Sequence, residues 1–133
     1  MDDIKYKRLS LSNLEDIVME YNKNDLENFL KNKENYLFVG LKDNKVIALL
    51  YGYGMLRLDG RKMFYIHSVD VIPEYQNQGI GTEFIDYTLK YIKTEKKYYK
   101  YFVLTESDNI KACKLYQNML TEMNKFYLVI IYR

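Results

Sequence analysis

Apolar and polar positions along this chain alternate, recur at helical spacing or run together, and each pattern marks an element. Ile4 to Leu9 alternates and predicts a first strand. Ser12-Asn13-Leu14-Glu15 has the form of a capping box, in which the Ser hydroxyl and the Glu carboxylate satisfy orphan N–H groups reciprocally. Leu14, Ile17, Val18 and Tyr21 then share one helical stripe, and a second short helix fits Asp25 to Lys31 with Leu26, Phe29 and Leu30 inward. Tyr36 to Leu41 reads as a strand, Asp43-Asn44 as a turn, and Val46 to Leu58 as a long strand interrupted by Gly52 and Gly54. Asp59-Gly60 is a two-residue hairpin signal that returns the chain antiparallel into Lys62 to Val71.

The second half is patterned more strongly. Phe64 to Ile72 is largely apolar and ends at Pro73, the only proline of the chain. Ile80, Phe84, Ile85, Thr88, Leu89 and Ile92 recur at helical spacing and predict a helix from about Gly79 to Glu95. Its charges suit its dipole, with Glu83 and Asp86 early and Lys90, Lys93, Lys96 and Lys97 late. Tyr99 to Thr105 is the next strand, expected to lie parallel to Lys62–Val71 because a helix intervenes. Asp108 or Asn109 caps a further helix to about Leu120, and Phe126 to Tyr132 is a final strand. No Pro- or Gly-rich linker, repeat or low-complexity tract divides the sequence. The expectation is one α/β domain over residues 1–133, a mixed sheet flanked by helices.

Composition narrows the function classes. With 133 residues the chain is long enough to bury about two thirds of its surface in one core. A net charge of +2 argues against a nucleic-acid footprint, and the lysine cluster from Lys90 to Lys100 reads as the solvated end of a helix. No apolar run approaches the ~18 residues of a membrane span, and Met1-Asp2-Asp3-Ile4-Lys5 does not read as a signal peptide. One cysteine, Cys113, suits a reducing compartment, so the expected location is cytoplasmic. With one histidine besides, no dedicated metal site is expected.

The chemistry concentrates at Gln76-Asn77-Gln78-Gly79-Ile80-Gly81, between the strand and the helix. Backbone N–H groups and the positive end of a helix dipole converge there on one anion, and glycine lets the backbone approach it. Neither the dinucleotide pattern nor the P-loop pattern fits, since Phe84 stands where the former needs glycine and GxxxxGK[ST] is absent. The string Val69-Asp70-Val71-Ile72-Pro73-Glu74-Tyr75-Gln76-Asn77-Gln78-Gly79-Ile80-Gly81 closely resembles the acetyl-CoA signature of the GNAT superfamily of N-acetyltransferases. Asn109-x-x-Ala112-x-x-x-Tyr116 matches a second signature of that family. The predicted element order is also that of the GNAT fold, and within the family Phe64–Ile85 and Leu115-Tyr116 most resemble the aminoglycoside 3-N-acetyltransferase branch. Three departures stand out: glutamine and asparagine at Gln76 and Asn77 where arginine is common, Ser68 where that branch has Asp, and Leu120-Thr121 in place of a Gly-Phe pair.

The resemblance implies a mostly antiparallel sheet with one parallel pair, Lys62–Val71 and Tyr99–Thr105, splayed apart to admit the pantetheine arm of acetyl-CoA. It implies that the backbone of Val69 and Val71 pairs with the pantetheine amides. Gln76, Asn77, Gln78, Gly79, Ile80, Gly81 and Thr82 would hold the pyrophosphate, with Asn109 near the pantetheine. The Thr82 hydroxyl fits either a phosphate contact or a helix cap. Tyr116 would protonate the departing thiolate, unless it is a core aromatic among fifteen tyrosines. Cys113 reads as a packing residue.

The implied reaction is direct attack on the thioester by a primary amine of a small molecule or peptide. Such an amine is neutral only about one time in 2,500 at pH 7, so a base or water must take its proton. A strand N–H near Val71 is the natural oxyanion donor, and donors of this kind contribute roughly 3–4 kcal/mol. His67, Asp70, Glu106 or water could be the base; by alternation His67 shares a face with Val69 and Val71, opposite Ser68 and Asp70. Polyamines, amino sugars, peptide N-termini and lysine side chains all qualify as acceptors, bound near the first two helices and the last strand. A homodimer is expected from the family's habit, and a non-catalytic acyl-CoA sensor is the alternative reading.

Overall fold

The computed structural model describes residues 3–14, 21–111, 113–115 and 127–132, with 105, 106 and 127–132 described through their backbone. Six strands form one sheet in chain order: β1 (Lys5–Leu9), β2 (Asn35–Lys42), β3 (Lys45–Leu56), β4 (Lys62–Val71), β5 (Tyr98–Glu106) and β6 (Tyr127–Tyr132). β1 to β4 pair antiparallel, whereas β4–β5 and β5–β6 pair parallel. Helix α1 (Lys23–Lys31) lies on one face and α2 (Ile80–Glu95) on the other. This is the mixed sheet flanked by helices that the sequence pattern predicts, mostly antiparallel as the resemblance implies, with a second parallel pairing, β5–β6, beside the expected β4–β5.

The pleat sends successive side chains to opposite layers. From β2, Tyr36 and Phe38 enter the core under α2, while Leu37, Val39 and Leu41 enter the core under α1. α2 buries the six residues picked out by periodicity, Ile80, Phe84, Ile85, Thr88, Leu89 and Ile92. The Thr88 hydroxyl is satisfied by donating to the Phe84 carbonyl at 2.9 Å, so its burial leaves no orphan group. α1 packs Leu26, Phe29 and Leu30 against the smaller core. Its N-cap is Asn22, whose Oδ1 accepts from the Asp25 N–H at 3.2 Å, and the helix therefore begins two residues before the apolar stripe suggests.

Two turns differ in an instructive way. Asp43 and Asn44 both have positive φ, 52° and 63°, the two-residue geometry that suits a right-twisted hairpin between β2 and β3. The expected two-residue Asp59-Gly60 turn is not formed. Arg57 N–H donates to the Arg61 carbonyl, Gly60 N–H donates to the Arg57 carbonyl, and at this turn only Gly60 has positive φ, so the loop is the three residues 58–60. β3 accordingly stops at Leu56 rather than Leu58. Of the helix expected over 12–21, residues 15–20 lie outside the described residues, including the Glu15 half of the capping box. The Ser12 hydroxyl meets that of Ser10 at 2.8 Å.

Where β4 begins, polar groups tie four elements together. Glu34 accepts from Lys62 Nζ at 2.7 Å and from the Tyr98 hydroxyl at 2.9 Å, while the Tyr36 hydroxyl donates to Glu95 at 2.9 Å. The Lys62 hydrogen bond holds the Glu34 carboxyl below its ordinary pKa. No described helix is long and apolar enough to cross a membrane.

Candidate active site

The site lies at the other end of β4. β4 and β5 pair from Lys62↔Tyr98 to Ile66↔Val103 and no further, although β4 runs on to Val71 and β5 to Glu106. Past that point, among the described residues, β4 keeps only β3, through Ala48↔Val71, and β5 keeps only β6. The parallel pair is splayed, and the facing backbone edges open onto a gap.

The parting coincides with a bulge. The β3–β4 register passes from Gly52↔Ile66 to Tyr51↔Ser68, leaving His67 with no cross-strand partner. An extra residue bends a strand and sharpens its twist, which carries β4 away from β5. Gly52 makes room for it: a Cβ there would lie 2.2 Å from the Tyr65 carbonyl oxygen.

The bulge overturns the expected facing of His67. Before it, Phe64 and Ile66 enter the α2 core; after it, Val69 and Val71 pack against that same core. His67 lies on the opposite face, its ring 5.5 Å from Tyr65, 5.0 Å from Tyr51 and 5.5 Å from Tyr53. Strict alternation fails because the inserted residue shifts the period by one. His67 is exposed, and its Nδ1 sits 2.6 Å from the Tyr53 hydroxyl. Ser68 and Asp70 share this face, where the Ser68 hydroxyl donates to Asp70 at 3.0 Å. Burial, with Tyr51 and Tyr65 nearby, raises the Tyr53 phenol, so it keeps its proton near neutral pH.

The loop closes the far end of the gap. Pro73–Tyr75 forms one 3-10 turn, Gln76 Nε2 donates to the Val71 carbonyl at 2.9 Å, and Gln78 Nε2 donates to the Glu74 carbonyl at 3.2 Å. Both glutamine side chains thus fix the loop's shape. Asn77 and Gly79 adopt positive φ, 63° and 78°. Gly79 is the N-cap of α2, and having no side chain it leaves the helix end without a side-chain cap of its own. The leading N–H groups, those of Ile80, Gly81 and Thr82, point out of the helix end. The Ile80 side chain turns into the core, leaving only its backbone at the loop.

A CoA pyrophosphate fits this end of the fold. Among the described residues, a Cβ built on Gly79 meets nothing within 4 Å, and one on Gly81 meets only Leu115 side-chain carbons, at 3.5 and 3.9 Å. Open space beside Gly79, and no clash at Gly81, at the positive end of a 16-residue helix make the environment a phosphate needs. Asn109 is exposed and begins the downstream helical segment, with the Cys113 N–H donating to its carbonyl at 3.0 Å. Cys113 is half-buried. Tyr116, Ala112 and the Leu120-Thr121 pair lie outside the described residues, as does the side chain of Glu106. Among the described residues no group of three or more His, Cys, Asp or Glu side chains could hold a metal.

The sequence reading missed Tyr51 and Tyr53, which surround His67, and the bulge itself. The available signal was Gly52, since an isolated glycine within a strand marks a bulge or a close backbone approach.

The model of the acetyltransferase (GNAT) family matches residues 6–120, and the chain belongs to that family as a GNAT-type N-acetyltransferase. Among solved structures, an aminoglycoside acetyltransferase from an uncultured soil metagenomic sample is similar with TM-score 0.75 and 24% identity, over 86% of each chain. The aminoglycoside N-acetyltransferase AAC(6')-Iy, in complex with CoA, gives 0.72 at 14% identity over 90% of this chain and 88% of the other. Arabidopsis thaliana NAA60, in complex with acetyl-CoA, gives 0.70 at 17% identity over 88% and 83%. At these identities the likeness is one of fold. No curated protein sequence matches significantly.

Proposed function

We propose that the protein transfers an acetyl group from acetyl-CoA to a primary amine by direct attack. The observation that supports this best is the parting of β4 and β5 beyond Ile66↔Val103, directly upstream of the open N-terminus of α2. Acetyl-CoA, when bound, supplies the activated acetyl group. The chain's own residues bind, orient and move protons. The backbone of Val69 and Val71 would hold the pantetheine, and the N–H groups from Gly79 to Thr82 the pyrophosphate, with Asn109 alongside. A backbone N–H near Val71 would meet the charge that develops on the acyl oxygen.

His67 is the base favoured here, because it stands exposed where the strands part, with Nδ1 against the Tyr53 hydroxyl. For Nε2 to accept a proton, Nδ1 must carry one and donate it to the Tyr53 oxygen, so Tyr53 would act as a positioning residue. Asp70, on the same face, is the alternative base. Tyr116, by its place in the second signature, would return a proton to the departing thiolate, a task for a weak acid because a free thiol has a pKa of about 8.5.

The test is thiol release from acetyl-CoA across a panel of primary amines, beside calorimetry. Amine-dependent release with saturable acetyl-CoA binding supports the reading. Binding without turnover of any amine would leave an acyl-CoA sensor.

A further inference from the structure

Between α1 and the sheet lies a cleft of about 300 Å³, lined among the described residues by Leu26, Phe29, Leu49, Tyr51, Tyr53 and Asp25, among others. Among the described residues its lining is mostly apolar, with Asp25 as the one carboxylate. Three rings form one corner of it: Phe29 stands edge-on to Tyr51 at 5.6 Å and tilted to Tyr53 at 5.8 Å, and the two tyrosines are 6.3 Å apart. The same two tyrosines flank His67 at 5.0 and 5.5 Å. The aromatic wall therefore runs without a break from under α1 to the bulge where the strand gap opens.

Resting on the reading above, we infer that this cleft is the acceptor subsite and takes a primary amine carried on a flat, largely apolar body, a phenylalkylamine in kind. At about 30 Å³ per water-sized group the cleft has room for about ten heavy atoms. A body of that size packed on Phe29 and Tyr51 would hold its amine toward His67. Ring faces attract a cationic head group without needing carboxylates. A polyhydroxylated amino sugar meets the opposite environment, because its hydroxyls would lose water to the aromatic carbon of Phe29, Tyr51 and Tyr53. This separates the chain from the aminoglycoside enzymes whose fold it shares.

The experiment compares 2-phenylethylamine, tyramine, spermidine, kanamycin and a short peptide amine as acceptors, with acetyl-CoA binding measured separately by calorimetry. The expected result is a kcat/KM for the phenylalkylamines at least about tenfold above the others. Phe29→Leu and Tyr51→Ala should each raise the KM for 2-phenylethylamine about tenfold while leaving acetyl-CoA affinity unchanged. Preference for spermidine, kanamycin or the peptide would overturn the inference alone, as would intact acetyl-CoA binding with no turnover of phenylalkylamines, or an unchanged KM in a folded Phe29→Leu. Loss of acetyl-CoA binding in the wild-type protein would instead bring down the parent reading, and this one with it.

Discussion

At the scale of single residues the account turns on His67 and the hydroxyl beside it. Replacing His67 with Ala should lower kcat about 10²-fold and remove the acidic limb of the pH–rate profile, since a positioned base contributes on the order of 10²–10⁴. Acetyl-CoA affinity should not change, and calorimetry on the variant checks that. Tyr53→Phe removes the oxygen 2.6 Å from Nδ1 but keeps the ring. It should cost about tenfold in kcat and displace the acidic limb, with little effect on the acceptor's KM; a profile and kcat like wild type would remove Tyr53 from the mechanism. The type of residue at position 67 was legible in the sequence, but the direction it faces was not. Alternation assumes an unbroken ladder, and the inserted residue opposite Gly52 breaks it. Tyr53 was hidden for a related reason, because cross-strand register decides its neighbour and register is not a local property.

At the scale of elements, α2 with its loop is the part that sequence described best. Its apolar spacing selected every buried residue, because one helix packed on one sheet face needs a single stripe. The glycine loop was readable because its backbone conformation demands particular residues. The two glycines make separable predictions. Gly81 has ordinary backbone geometry and space for a methyl group, so Gly81→Ala should leave stability within about 0.5 kcal/mol or raise it slightly. It should nevertheless weaken acetyl-CoA binding by tenfold or more by narrowing the helix end. Gly79 has φ +78°, so Gly79→Val should lose both binding and at least about 1 kcal/mol of stability. Urea melts beside calorimetry on the two variants check this; equal binding by Gly81→Ala would place the phosphate elsewhere. The turn after β3 was less legible, because Asp59-Gly60 suits both two- and three-residue loops.

At the scale of the whole molecule, the two ends of β4 are built for different purposes. One end is locked by the Glu34, Lys62, Tyr98, Tyr36 and Glu95 contacts across β2, β4, β5 and α2. The other is parted. Because Glu34 titrates below its unfolded value near 4.5, its contribution is present above that pH and is lost as pH falls through the lower folded value. Glu34→Gln should therefore cost about 1 kcal/mol at pH 7, a figure kept small by the pair's contact with water. The gap to wild type should narrow in urea melts as the pH falls below the ordinary carboxylate range. This network escaped the sequence reading because its members are scattered from 34 to 98 and only the sheet brings them together. The overall architecture was legible because strand and helix periods alternate cleanly in the second half. The central claim, that the gap between β4 and β5 with the open end of α2 forms an acetyl-CoA site, is tested most directly by calorimetric titration of wild type and Gly81→Ala with acetyl-CoA. Saturable one-to-one binding by the wild type, lost or weakened at least tenfold in an equally stable variant, is the predicted result. No heat of binding at millimolar acetyl-CoA, or equal binding by both proteins, would contradict it.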